Sequence, residues 1–233
     1  MHDVGGIIFD KDGTLFDFNA TWTAWAVTFL TELACGDPAR AQVLGGAIGF
    51  DTEARAFAPD SPAIAGTPHE VAECLLPHVP GATPAALIMR MNVAAAEAPM
   101  QEAVPLAALL DRLAGQGLRL GVVTNDAEGP ARAHLGATGI TDRFDFIAGC
   151  DSGYGAKPAP GPLLACAAYM GLPPAQVLMV GDSRHDLAAG HAAGMRTVGV
   201  LTGLATEAEL RPYADLVLPD IGHLPEHLFA MAA

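Results

Sequence analysis

Positive charge is what this sequence has least of. Of its 233 residues, 12 are Lys or Arg against 26 Asp or Glu, a formal net charge of −14. A field of that sign repels nucleic acid and anionic membrane, so neither is expected as a partner. An anionic substrate would need a local cation or a few fixed donors to be held at all. Cysteine is scarce too: Cys35, Cys74, Cys150 and Cys166 stand far apart, with no CxxC spacing and no nearby His pair. That argues against zinc and predicts four free, buried thiols in a reducing compartment. No run reaches about eighteen apolar residues, the length of a membrane span; Ala85 to Pro99 is broken by Arg90, Asn92 and Glu97. The first residues show no basic segment leading into an apolar stretch, because Asp3 and Asp10 interrupt it, and a cytoplasmic protein is expected. With 51% apolar and only 16% charged residues, the composition is that of a globular chain, long enough for one α/β domain plus a smaller insert.

What is present begins with a short apolar run, Val4 to Phe9, that stops abruptly at Asp10 and Asp12. It reads as a buried strand whose carboxyl end presents two acids, and ligands bind at that end of strands in open α/β sheets. Gly13 suits the sharp turn that follows, with the Thr14 hydroxyl expected to bond back across it. Alone, Asp-Gly between apolar runs also reads as a hairpin turn. From Thr21 to Ala34, Trp22, Trp25, Phe29 and Leu33 recur at helical spacing, so both tryptophans are expected in a helix core, with a view onto an active site the secondary reading. Gly45 to Pro68 reads as a loop rich in small polar groups. Thr67-Pro68-His69-Glu70 is a capping box opening a helix to Leu76, and Thr83-Pro84 opens another to about Ala98. Segment 19–102 is thus expected to be a separate, all-helical unit inserted after the first strand.

Beyond residue 103 the pattern changes to alternating strands and helices. Strands are expected at 118–123, 144–148, 177–180, 197–201 and 216–218, with helices between them and one from about Leu224. Such alternation gives a Rossmann-like α/β core, a parallel sheet with right-handed crossovers and helices on both faces, formed by 1–18 and 103–233. Three apolar strands end in polar groups at one sheet edge: Asp10/Asp12, Thr124/Asn125 and Asp182. Lys157 follows the third strand of the core in a Gly-rich loop, and Asp186 lies one helical turn after Asp182. Helix capping is the ordinary duty of an acid at a strand end, and it accounts for Asp126 and Asp142. It does not account for the two acids, the hydroxyl, the isolated lysine and the second acid pair together.

In order, Asp10-Lys11-Asp12-Gly13-Thr14-Leu15, Val123-Thr124-Asn125, Lys157-Pro158 and Gly181-Asp182-Ser183-Arg184-His185-Asp186 resemble the four motifs of the haloacid dehalogenase-like hydrolase superfamily. The helical insert resembles that family's cap. Gly-Asp-Ser-Arg-x-Asp with Ala192-Ala193-Gly194 following is most similar to the phosphoglycolate phosphatase branch. The resemblance implies a nucleophilic Asp10 that forms an aspartyl phosphate, and Asp12 as the acid for the leaving alcohol and then the base for water. It implies magnesium on Asp10, the Asp12 main-chain carbonyl and Asp182, with Asp186 orienting the metal's waters. Thr124, Asn125 and Lys157 would hold the phosphate. Ser61, Thr67 and Arg184 are candidates for contacting the rest of the substrate. Lys11 departs from the pattern, where a hydrophobic residue is more usual; its side chain is expected to point away from the site, so that the departure has no effect on it.

The implied activity is hydrolysis of a small phosphorylated metabolite, led by 2-phosphoglycolate, with a broad-range sugar phosphate or nucleotide phosphatase as the rival. A phosphomutase of the β-phosphoglucomutase kind shares Asp10 and Asp12. A phosphonatase would need a cap lysine, and 19–102 contains none. A non-catalytic binding protein on the same fold is the remaining reading, and monomer or homodimer are both compatible with the sequence.

Overall fold

Five-residue and shorter runs of Val, Leu, Ile, Met and Gly build the sheet, and their side chains are buried on both faces, as a covered parallel sheet requires. The computed structural model describes residues 4–229, so the outermost parts of the expected core segments, 1–3 and 230–233, lie outside the described residues. In chain order the first elements are β1 (Gly6–Phe9), α1 (Phe18–Leu33), α2 (Pro38–Ala47), β2 (Phe50–Asp51), β3 (Ala56–Phe57), α3 (Pro62–Ala65), α4 (Pro68–Leu75) and α5 (Pro84–Ala96). They are followed by α6 (Leu106–Ala114), β4 (Arg119–Val123), α7 (Glu128–Ala137), β5 (Phe146–Ala148), α8 (Gly161–Met170) and β6 (Val177–Gly181). The last are α9 (Arg184–Ala192), β7 (Arg196–Val200), α10 (Glu207–Leu210), β8 (Leu216–Leu218) and α11 (Leu224–Phe229).

Six strands form one sheet in the order β5-β4-β1-β6-β7-β8, every pair parallel. Phe9 aligns with Val122 on one side and Val180 on the other. The residues just past these three therefore meet at one edge. The chain leaves β1 toward β4 and β5, then returns to β6 on the other side of β1, which makes this edge the topological switch point. Alternate residues serve opposite faces. Ile7, Phe9, Val122 and Val180 pack with Leu106, Leu110 and Leu224 on one face, while Ile8, Val123 and Met179 pack with Leu163 and Cys166 on the other.

The insert has a core of its own, built from Trp25, Phe29, Leu33, Leu44, Leu75, Leu87 and Met91. Its first helix starts earlier than the apolar spacing indicated, because the Asp17 carboxylate caps it by accepting from the Ala20 N–H at 2.7 Å. The boundary drawn between 18 and 19 thus falls in the first turn of α1. The capping box at Thr67 and Glu70 forms as expected. The stretch 45–68, expected as loop, holds the two-residue strands β2 and β3, joined by Phe50 and Phe57 whose rings lie 4.8 Å apart, and the one-turn α3. Elements that short leave no periodic trace.

Two caps differ from expectation. Asp126 is not the N-cap of α7; that place is taken by Ala127, and Asp151 reaches across to accept from the Glu128 N–H at 2.8 Å. Asp142 sits inside a single 3-10 turn, not at its cap. The four thiols are free, yet only Cys166 is buried; Cys35 is exposed and Cys74 and Cys150 are half-buried. Among the described residues no helix is long and apolar enough to cross a membrane.

Candidate active site

The turn after β1 sets the site. The Asp10 N–H continues the sheet ladder to the Val180 carbonyl at 2.9 Å, and the Gly13 N–H closes a turn onto the Phe16 carbonyl at 2.7 Å. Gly13 has φ +76°, and a Cβ there would stand 2.3 Å from Asp182 Oδ2, so glycine is required for backbone and space alike. Gly203 also packs against this carboxylate, where a Cβ would lie 1.7 Å from Oδ2. The Thr14 hydroxyl donates to Asp182 Oδ1 at 3.4 Å instead of bonding back across the turn.

Only two lysines occur in the chain, Lys11 and Lys157, and both are buried here. Lys157 Nζ lies 2.6 Å from Asp10 Oδ1, 2.6 Å from Asp186 Oδ1 and 2.8 Å from the Val123 carbonyl. Its three protons thus have three acceptors. Burial alone would lower this ammonium's pKa, but Asp10 and Asp186 reverse that and hold it above its ordinary value. Asn125 fixes the backbone of Lys157: its Oδ1 accepts the Lys157 N–H and its Nδ2 donates to the Lys157 carbonyl, both at 2.8 Å. The same Nδ2 donates to the Ala65 carbonyl of the insert at 2.8 Å.

Oxygens of Asp10, Asp182 and Asp186 lie within 4.8 Å of one another, and all three residues are buried. Burial pushes the Asp10 carboxyl up to about 7, with Lys157 opposing and the charges of Asp186 and Asp12 adding. Asp182 is pushed well above the usual carboxylate range, first by burial and then by Asp186 and Asp10. Ser183 opens α9 with a capping box, its N–H and hydroxyl donating to Asp186 Oδ2 at 3.0 and 2.7 Å. Both oxygens of Asp186 are therefore engaged. The Thr124 hydroxyl accepts from the Asp126 N–H at 3.1 Å.

Lys11 corrects the expectation of a side chain that points away and leaves the site unaffected. Its fully buried Nζ donates to Asp12 Oδ1 at 2.7 Å, lies 3.3 Å from Asp126 Oδ2 and stands 3.0 Å from His134 Nδ1. The Trp22 ring covers it, with its centroid 5.5 Å away. Burial works against this ammonium's charge, yet Asp12 and Asp126 outweigh it and its pKa is raised. Asp126, expected as a helix cap, is a buried acid of this second ion group. Burial pushes it up to about 6 against the pull of Lys11, and its Oδ2 has no well-aligned hydrogen-bond donor. His134 Nε2 faces the Ala95 carbonyl of α5 at 2.7 Å. A carbonyl only accepts and an ammonium only donates, so the proton sits on Nε2 and Nδ1 accepts from Lys11. Burial, then Lys11, pushes His134 down to about 4, which keeps this tautomer neutral.

The cavity above these groups is lined by Asp10, Asp12, Asp126, Asp182 and Asp186 from the sheet edge. From the insert come Trp22, Trp25, Ile64, Val71, Met91 and Asn92, among others. Both tryptophans thus belong to the helical core and to the cavity wall. Of the three residues expected to contact substrate, Thr67 lines the cavity, but its hydroxyl donates to Glu70 Oε2 at 2.9 Å. Ser61 is buried elsewhere, donating to the Ile48 carbonyl at 2.6 Å and capping α3. Arg184 is exposed; the turn of α9 carries Ser183, His185 and Asp186 to the cavity and Arg184 past it. Lys11, Asp126, His134, Gly203 and His185 escaped sequence reasoning, and the one available signal was that a chain so poor in lysine places both beside its acids.

Residues 7–200 match the family described as haloacid dehalogenase-like hydrolase. The chain is 41% identical over 121 residues to a phosphoglycolate phosphatase of Rhodospirillum rubrum, covering 52% of this chain and 50% of the relative. It is 43% identical over 94 residues to one of Escherichia coli K12, covering 40% and 37%. The chain thus spans about half, or less, of the length of these curated relatives. Among solved structures, a predicted phosphoglycolate phosphatase from Haemophilus somnus superposes with TM-score 0.74 at 22% identity, covering 97% of this chain and 99% of that one. A β-phosphoglucomutase from Clostridium difficile does so with TM-score 0.65 at 19% identity, covering 95% and 93%. These likenesses show the fold.

Proposed function

This chain belongs to the haloacid dehalogenase-like hydrolase family, and on that premise we propose that it is a magnesium-dependent phosphomonoester hydrolase working through an aspartyl phosphate. The observation that carries the reading is Asp10, Lys157 and Asp186 linked at 2.6 Å beside Asp182, with Asp10 and Asp182 directly after the adjacent parallel strands β1 and β6.

The donor set fits the ion. Three buried carboxylates face one ammonium, a surplus of negative charge that a divalent cation offsets, and hard oxygen donors suit magnesium. Asp10, Asp182 and the Asp12 main-chain carbonyl would hold it, with Asp186 orienting its waters. When bound, magnesium supplies charge that neutralises phosphoryl oxygens.

Every other role falls to the chain's own groups. Lys157, the Thr124 hydroxyl and the Asn125 N–H hold the phosphoryl oxygens, which is the main source of catalysis in such transfers. The Asp10 carboxylate attacks phosphorus, and the bond to the leaving oxygen breaks as Asp12 gives that oxygen a proton. Asp12 then takes a proton from water, whose oxygen attacks phosphorus and frees phosphate and Asp10. Lys11 fixes one oxygen of Asp12 throughout. Segment 19–102 acts as a cap that admits substrate and excludes water.

The partner this reading calls for is a small phosphorylated metabolite. The relatives' names bring 2-phosphoglycolate forward, and sugar phosphates are the rival. Phosphate release from a panel of phosphomonoesters, with and without magnesium, tests the activity. Asp10→Asn is expected to reduce it to background with an unchanged circular dichroism spectrum. Substantial turnover by a clean Asp10→Asn preparation overturns the mechanism.

A further inference from the structure

Resting on the phosphatase reading, we infer that the leaving group this site takes is an uncharged, largely apolar alcohol and not a carboxylate-bearing one such as glycolate. The cap wall of the cavity is made largely by Trp22, Trp25, Ile64, Val71 and Met91, with Thr67 and Asn92 as its neutral polar side chains. No lysine or arginine of the cap lines the cavity. There is no lysine in 19–102 at all, and its arginines, Arg40, Arg55 and Arg90, lie elsewhere. Arg90 is paired with Glu32 at 2.9 Å.

The core side offers a leaving-group carboxylate nothing better. Among the described residues Lys157 is the one Lys or Arg side chain in the wall, and the phosphoryl group, Asp10 and Asp186 already claim it. Lys11, behind the wall, is held by Asp12 and Asp126. Five carboxylates line the cavity. With Asp12 carrying the proton it gives to the leaving oxygen, the other four are balanced by two lysines and one divalent ion before any phosphate arrives, and no positive charge is left over for a second anion. A second anion on the substrate would be buried against aromatic and aliphatic groups without a partner, the costliest arrangement for a charge. An apolar leaving group gains from the same wall. Room for water-sized molecules amounts to about 60 Å³, so with the cap in this position the group that fits is compact. Among the described residues His185, on α9, is the remaining wall residue that can carry a positive charge.

The test compares isobutyl phosphate with 2-phosphoglycolate, whose leaving groups have the same number of heavy atoms but carry an isopropyl group and a carboxylate respectively. The expected kcat/KM is at least about tenfold higher for isobutyl phosphate, a difference of about 1.4 kcal/mol. The preference is expected to persist in His185→Gln. Asn92→Arg, which places a cation at a half-buried wall position, is expected to move the ratio about tenfold or more toward 2-phosphoglycolate. Equal or better turnover of 2-phosphoglycolate by the wild-type protein overturns the inference and leaves the phosphatase reading standing. Hydrolysis of neither ester, nor of any other phosphomonoester in the panel, overturns both.

Discussion

Lys11→Met tests the buried ion group that the sequence did not reveal. Methionine has a similar length and no charge, so it fills most of the space while removing the ammonium from Asp12 at 2.7 Å, Asp126 at 3.3 Å and His134 at 3.0 Å. Removing one partner of a buried ion pair costs about 3–5 kcal/mol, because the other charge stays behind unpaired. Here Asp126 limits the loss. Already pushed up to about 6 with Lys11 present, it can take a proton once Lys11 is gone, so the lower end, about 3 kcal/mol, is the working figure. For a chain of this size each kcal/mol moves Tm by about 2–4 °C, which gives a fall of about 6–12 °C. Circular dichroism and tryptophan fluorescence follow the transition, the latter from Trp22 above Lys11. The deficit should be larger at alkaline than at mildly acidic pH, since protonating Asp126 removes the unpaired charge. A Tm near neutral pH within about 2 °C of wild type would refute the reasoning, because it would mean the buried acids do not depend on Lys11.

Gly203→Ala should displace the Asp182 carboxylate, which a Cβ would approach to 1.7 Å. The magnesium concentration for half-maximal activity is then expected to rise by about 10–100-fold, and an unchanged value would show that Asp182 tolerates the shift. His134, depressed from 6.5 to about 4, contributes stability that is fully present above 6.5. It is lost as pH falls toward 4, because the unfolded chain takes a proton that the folded chain refuses. His134→Gln should therefore flatten the fall in urea-unfolding free energy over that window by about 3 kcal/mol. Exposed Cys35 should react promptly with a thiol reagent under native conditions. Cys150, its thiol pushed up to about 12 by burial, and Cys166, raised by burial as well, should react only on unfolding. Native reaction of all four thiols would contradict the packing.

Much of the architecture was legible because local patterns report it. The apolar run ending at Asp10, the strands before Thr124 and Asp182, and the capping box at Thr67 and Glu70 each depend on neighbours within a few residues. Apolar periodicity tells which residues face inward, so Trp25, Phe29 and Leu33 were placed in a core. It does not tell what stands opposite. Trp22 and Trp25 became cavity wall only when α1 was set above the sheet edge. Ser61 and Arg184 had the right chemistry for substrate, but Ser61 was turned to the Ile48 carbonyl and Arg184 left in solvent by the direction of each local turn.

The sequence by itself determined the parallel α/β core, the helical insert after the first strand and the acids at the strand ends, since each is written in spacing along the chain. Only the tertiary structure decided the partners of Lys11, because His134 lies 123 residues away and no periodicity spans that distance. It likewise decided that the Asp182 carboxylate packs closely against both Gly13 and Gly203, and that the cap meets the site with an uncharged wall. Buried charges must find partners across elements, and those pairings are fixed by packing, not by sequence order.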